Sequence, residues 1–152
     1  TVAAPYQNKL GIAIAMRTYK AYRGLLASER WKRLAAAGVH PQRLLWASTG
    51  TKDPKAPETL YVEALAAPDT IDTMPEKTLK AFAEHGKLGA AMPLDGGYAE
   101  QTIAEIRREG VDIEALAEKL QIDGGDSFKK SWSALMGGLA EKIARLAATS
   151  PG

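Results

Sequence analysis

Apolar residues between positions 8 and 27 recur at helical spacing, at Leu10, Ile14, Ala21 and Leu25, with Tyr19 and Tyr22 interleaved. Ser28 is placed to cap a second, short helix through Trp31 and Leu34, which Gly38 stops and Pro41 closes off. The pattern then changes. Leu44 to Ser48 reads as a strand, and a loop marked by Pro54 and Pro57 follows. Residues 58–66, ETLYVEALA, predict a short helix that ends before Pro68. Residues 69–74, DTIDTM, are rich in β-branched residues and predict a second strand. Pro75 stands where the first residue of a helix belongs, and that helix runs to a stop at Gly86.

Beyond Gly86 the pattern is helical throughout. YAEQTIAEIRREG ends at Gly110, and Asp112 is placed to cap IEALAEKLQI. Asp126 is placed to cap a long last helix, whose stripe of Phe128, Trp132, Leu135, Leu139, Ile143 and Leu146 steps by three and four residues. Gly137 and Gly138 should weaken it locally. LDGG (94–97) and IDGG (122–125) fall between helices, so they predict turns rather than a phosphate-binding glycine motif. Trp31, Trp46 and Trp132 are expected in the core. The chain is expected to be a single partial domain over 1–152, with a frayed or linker-like end at 148–152.

Two strands separated by a helical segment make a strand–helix–strand unit, so they should lie parallel and adjacent. Parallel strands are normally covered on both faces, and two alone are marginal. The fold class is therefore helix-rich α/β, and the pair reads as the end of a larger parallel sheet whose other strands lie elsewhere.

Composition narrows the function. Of 152 residues, 45% are apolar and 25% charged, an ordinary globular balance. The net charge of +2 comes from scattered basic residues with no basic stripe, so no nucleic-acid partner is expected. No apolar run approaches membrane-spanning length, and LGIAIAM (10–16) has neither the basic stretch before it nor the cleavage site after it that a signal peptide needs. No membrane partner is expected. The absence of cysteine removes thiol chemistry and fits a reducing, cytoplasmic compartment. His40 and His85 lie far apart, which leaves a metal site to carboxylates alone.

The stretch LLWASTGTKDP (44–54) carries the most chemistry. Ligands of parallel α/β folds sit beyond the carboxyl ends of strands. At that rim Ser48 offers a hydroxyl, Gly50 lets backbone N–H groups approach an anion, and Lys52 supplies a point charge that suits a phosphate. The same letters also describe a strand ending in a polar turn with a solvated lysine. Asp72 or Thr73 could point into a pocket, but an Asp or Thr before a proline-started helix more often caps it. Lys52 as a Schiff-base lysine would need a desolvated amine, which a loop of glycine and threonine provides poorly.

Gln42 and Arg43, Leu45 to Thr49, Gly50, Thr51 and Lys52, Tyr61 and Val62, and Ile71 to Pro75 together resemble the pattern of the transaldolase family, in its longer bacterial form that occurs alone or fused to phosphoglucose isomerase. The likeness covers roughly residues 9–145 and includes GVDIEALAEKLQIDGGDSFKKSWSALM. Two features depart from it: GIAIAMRTY stands where the family usually has an Ala/Asn-rich helix, and TVAAPYQ is not placed on the pattern. The resemblance implies a (β/α)8 barrel, of which this chain holds the last two parallel strands and the C-terminal helices. It implies an enzyme of the pentose phosphate pathway that moves a dihydroxyacetone unit between sugar phosphates through a lysine Schiff base, with no metal or organic cofactor. It places the Schiff-base lysine and acid/base carboxylates on earlier strands, so no catalytic residue is expected here. Ser48 matches the family's phosphate-contacting serine, and Lys52 stands near its phosphate-binding basic residue. The expected partners are a sugar phosphate and the remainder of the barrel, or a partner chain that supplies it. The alternative is a non-catalytic helical remnant acting as an interaction module.

Overall fold

A computed structural model describes residues 4–149. The chain divides into two compact units, one ending at Gly110 and the other beginning at Val111.

In the first unit a single 3-10 turn (Ala4–Tyr6) leads into α1 (Leu10–Ala27) and α2 (Glu29–Ala36). Ser28 separates these helices as expected: its hydroxyl oxygen accepts the Trp31 N–H at 3.2 Å, satisfying one of the amides that open α2. Then come β1 (Leu44–Trp46), α3 (Leu60–Ala64), β2 (Thr70–Asp72), α4 (Glu76–His85) and α5 (Ala99–Arg108). Both strands are shorter than the sequence suggests. They pair in parallel, Leu44 with Thr70, Leu45 with Ile71 and Trp46 with Asp72, as the strand–helix–strand reading requires. Pro75 sits one position earlier than expected, as the residue before α4 rather than its first.

The core of this unit is the packing of α1 against α5. Ile12, Ala13, Met16 and Tyr19 of α1 are buried, with Ala99, Ile103 and Ile106 of α5. The small Ala13 and Ala99 let the helices approach, and Tyr19 satisfies its buried hydroxyl by donating to the Pro68 carbonyl at 3.2 Å. Arg17 grips Glu100 through two bonds of 2.6 and 2.7 Å, joining α1 to α5 on the surface. Glu100 is held below its ordinary carboxylate range by that hydrogen bond. Asp95 and the positive-φ pair Gly96 and Gly97 form the turn expected at LDGG, with Asp95 accepting the Gly97 N–H at 2.9 Å.

The second unit is one helix, α6 (Ile113–Thr149). Asp112 caps it, accepting the Ala115 N–H at 2.9 Å. The expected break at IDGG is absent: Gly124 and Gly125 are helical, and Asp126 is interior to the helix, not its cap. Each helical glycine costs about 1 kcal/mol, but a helix already nucleated gains one hydrogen bond per added residue, and the ladder runs across Gly124 and Gly125 from Glu118, Lys119 and Leu120 on one side to Lys129 and Lys130 on the other. Asp126 turns outward to Lys129 at 3.2 Å. The expected core placement also fails for Trp132, which is 64% exposed, whereas Trp46 is buried and Trp31 half-buried. The frayed end expected at 148–152 lies outside the described residues from Ser150 onward, and Ala148 and Thr149 are helical. Among the described residues no helix is long and apolar enough to cross a membrane.

Candidate functional site

β1 ends at Trp46, so Ser48 stands in the loop beyond it rather than in the strand. Two lines of hydrogen bonds lace this loop to the end of β2. Thr73 donates to the Trp46 carbonyl twice, from its N–H at 2.9 Å and its hydroxyl at 3.2 Å. Thr49 returns the grip. Its N–H reaches the Thr73 carbonyl at 3.4 Å, and its hydroxyl donates to Asp72 Oδ1 at 2.6 Å, with the Thr73 carbonyl also near at 3.1 Å. Thr49 is buried while its neighbour Ser48 is exposed.

Ser48 itself is held at φ 59°, in the left-handed region that costs a non-glycine residue about 1–2 kcal/mol. Gly50 follows with its Cα against α4. A Cβ built there would lie 2.8 Å from Pro75 Cγ and 3.4 Å from Thr78 Oγ1, so only glycine lets the loop close onto the start of that helix. The loop's course is then fixed by Thr51 donating to the Glu58 carbonyl at 3.2 Å and by Asp53, which accepts from Asn8 Nδ2 at 2.7 Å and from the Lys55 N–H at 2.9 Å. Those two bonds, the Asn8 one first, hold the Asp53 carboxyl below its ordinary range. Lys52 is exposed and enters no ion pair among the described residues. The structure thus brings Ser48, Gly50 and Lys52 into one loop at the carboxyl end of β1, with Thr49 as the buried pin between the first two.

Neither Asp72 nor Thr73 caps α4, contrary to the sequence expectation. Both face the loop after β1 instead, and Pro75 precedes the helix with no side-chain cap. Parallel pairing sets Asp72 opposite Trp46, which carries its carboxyl to Thr49 rather than forward to the helix. Its Oδ2 is buried without a hydrogen-bond partner, as is Trp46 Nε1. Both residues line a groove of about 480 Å³ with Val62, Leu65, Thr70 and Phe82. The partnership of Thr49 with Asp72 was not visible in the sequence, because it depends on strand register.

A second cleft, of about 530 Å³, is lined by Asn8, Lys9, Ile12, Leu60, Tyr98 and Thr102 among others, and Ser48, Gly50 and Lys52 take no part in it. Among the described residues no cluster of three His, Asp or Glu side chains could hold a metal ion.

A family model described as Transaldolase/Fructose-6-phosphate aldolase matches residues 2–139. A transaldolase of Frankia alni is 46% identical over 138 residues, covering 90% of this chain and 37% of that protein. Transaldolases of a Parafrankia species and of Thermobifida fusca are 44% and 42% identical, over 93% of this chain and 38% and 39% of their own lengths. The chain therefore spans under two-fifths of the length of these curated relatives.

Proposed function

The chain belongs to the transaldolase/fructose-6-phosphate aldolase family, and from that premise we propose that it forms the C-terminal part of a transaldolase (β/α)8 barrel and supplies the phosphate-binding end of the substrate site. The observation that carries this reading is the loop after β1. It presents a strained, exposed Ser48 and an exposed Lys52 at the carboxyl end of a parallel strand, where ligands of such folds bind.

Two further features support a larger barrel. Leu45 and Ile71, paired in the sheet, remain 47% and 38% exposed on one face, although parallel sheets are normally buried on both. In α6 the stripe of Phe128, Trp132, Leu135, Leu139, Ile143 and Leu146 is exposed along its length, an apolar face suited to the rest of the fold. In this reading the barrel's other strands provide the lysine that forms the Schiff base and the carboxylates that move protons, with no metal or organic cofactor. The reaction in this reading moves a dihydroxyacetone unit from one sugar phosphate to another, in the pentose phosphate pathway and in the cytoplasm. A purely non-catalytic interaction module gains no support from the relatives found.

The role of the loop would be to hold the end of the substrate that does not react, and so place the carbonyl near the lysine. The test uses the chain assembled with the remainder of the barrel and compares phosphorylated with unphosphorylated substrate. Ser48→Ala is expected to raise KM for the phosphorylated sugar by about tenfold, the value of one hydrogen bond to a charged group. Lys52→Ala should do at least as much, less so as salt rises. Equal losses on both substrates would make the stretch a structural turn.

A further inference from the structure

We propose that Asp72 is a positioning residue for the Ser48 loop: through Thr49 it holds Ser48 in the left-handed conformation that offers its hydroxyl to a phosphate. This rests on the reading of Ser48 as a phosphate contact, and it adds a residue that does not itself touch the ligand.

Only Ala47 and Ser48 lie between two anchored points. On one side the Trp46 carbonyl accepts two bonds from Thr73. On the other, Thr49 is 4% exposed and bound to Asp72 and Thr73. With both ends pinned, the connecting residues have little freedom, and Ser48 takes the conformation at φ 59° that no unconstrained serine favours. The shortest of these bonds, 2.6 Å from hydroxyl to carboxylate, is the one that Asp72 makes.

Asp72 also carries a cost that fold stability does not explain. Its second oxygen is buried with no hydrogen-bond partner, an expensive arrangement for a carboxylate. A strained backbone and an undersatisfied acid adjoin one exposed hydroxyl, and such features gather where geometry serves a ligand.

The test compares the wild-type chain with Asp72→Ala, Thr49→Val and Asp72→Asn, each assembled with the remainder of the barrel. Amide hydrogen exchange is read at Thr49 and Gly50, with Ile103 and Ile106 as core references. A titration with inorganic phosphate is followed at the amides of Ser48, Gly50 and Lys52. Asp72→Ala and Thr49→Val are expected to speed exchange at Thr49 by about tenfold and weaken the phosphate response at Ser48 by a similar factor, with the references unchanged. Asp72→Asn keeps an oxygen acceptor for Thr49 and should stay within about twofold of wild type on both readouts. If Asp72→Ala loosens the core references as well, Thr49→Val decides in its place. Unchanged loop exchange in Thr49→Val, or Asp72→Asn behaving as Asp72→Ala, overturns the proposal while a normal phosphate response leaves the Ser48 reading standing. A wild-type assembly that does not answer phosphate, with the exchange pattern intact, removes the Ser48 reading and the role of Asp72 with it.

Discussion

Gly50→Ala tests how closely the candidate loop is fitted to the start of α4. The added methyl would lie 2.8 Å from Pro75 Cγ and 3.1 Å from Pro75 Cδ. Carbon atoms pack comfortably at about 3.5–4.0 Å, so the shortfall is about 0.7 Å. The neighbour is a proline ring, rigid and bonded into the backbone, so relief requires moving the loop or the helix start. Overpacking of this kind costs about 1–3 kcal/mol. An opposing gain must be subtracted. Gly50 lies outside the left-handed region, so alanine there restricts the unfolded chain and returns about 0.4–1 kcal/mol. From the middle of each range the net expectation is a loss of about 1.3 kcal/mol, or a urea midpoint lower by about 0.9 M for a slope of about 1.5 kcal/mol per molar. Gly24→Ala is the control: the same chemical change inside α1, with no atom within 4 Å of the new methyl. It should raise the midpoint, since glycine in a helix interior costs about 0.5–1 kcal/mol relative to alanine. Both variants are compared by far-ultraviolet circular dichroism in urea. A Gly50→Ala midpoint at or above wild type would refute the close fit of loop and helix.

Three other outcomes are expected. The chain alone, incubated with fructose 6-phosphate and borohydride, should gain no adduct by mass spectrometry, and an adduct on any of its lysines would overturn the assignment of the nucleophile to other strands. The chain alone should self-associate in light scattering, because the sheet edges and the α6 stripe offer apolar and hydrogen-bonding surface; a monomer with a single sharp melt would contradict this. Glu63 accepts the Lys87 N–H at 3.0 Å and the Thr59 hydroxyl at 2.7 Å, which hold its carboxyl below the ordinary 4.5. A lowered folded pKa gives stability that is present above the unfolded value and lost as pH falls through the folded one, so the melting temperature should decline below about pH 4.5, and less steeply in Glu63→Gln.

What the sequence made legible is local or periodic. The α1 spacing, the Ser28 cap and the LDGG turn each follow from a few adjacent residues, and the structure has all three. The parallel pairing followed from a topological rule applied to two short β-rich runs. The errors share a cause as well. Asp126 and Gly124 carry local stop signals, but helix formation is cooperative and the neighbours on both sides outvoted them. The stripe on α6 was legible as a face, whereas the core expectation for Trp132 failed because periodicity defines a face and not what covers it. Asp72 looked like a cap because its position before Pro75 is a sequence fact. Its partner Thr49 lies 23 residues away and is reached only through strand register.

Unfavourable features occur at several places in the first unit, and one group of them surrounds the proposed phosphate loop. In the first unit Tyr19 finds the Pro68 carbonyl, Thr70 the Ala67 carbonyl, and Arg17 both oxygens of Glu100, whereas the Tyr22 hydroxyl is buried without a partner, Asn8 and Asp69 are left-handed, and a Cβ at Gly97 would meet Pro93. Around the ends of β1 and β2 four such features lie close together. A serine is left-handed, an indole N–H and a carboxylate oxygen are buried without partners, and a glycine is kept where alanine would strike a proline. The four that adjoin the loop holding Ser48 and Lys52 are linked to one another through the Thr49–Asp72 bond and the paired strand ends. Strain of this kind gathers where geometry serves a ligand, so the loop is where the proposed phosphate contact is tested first. The resemblance in sequence and the strain in the backbone meet at Ser48.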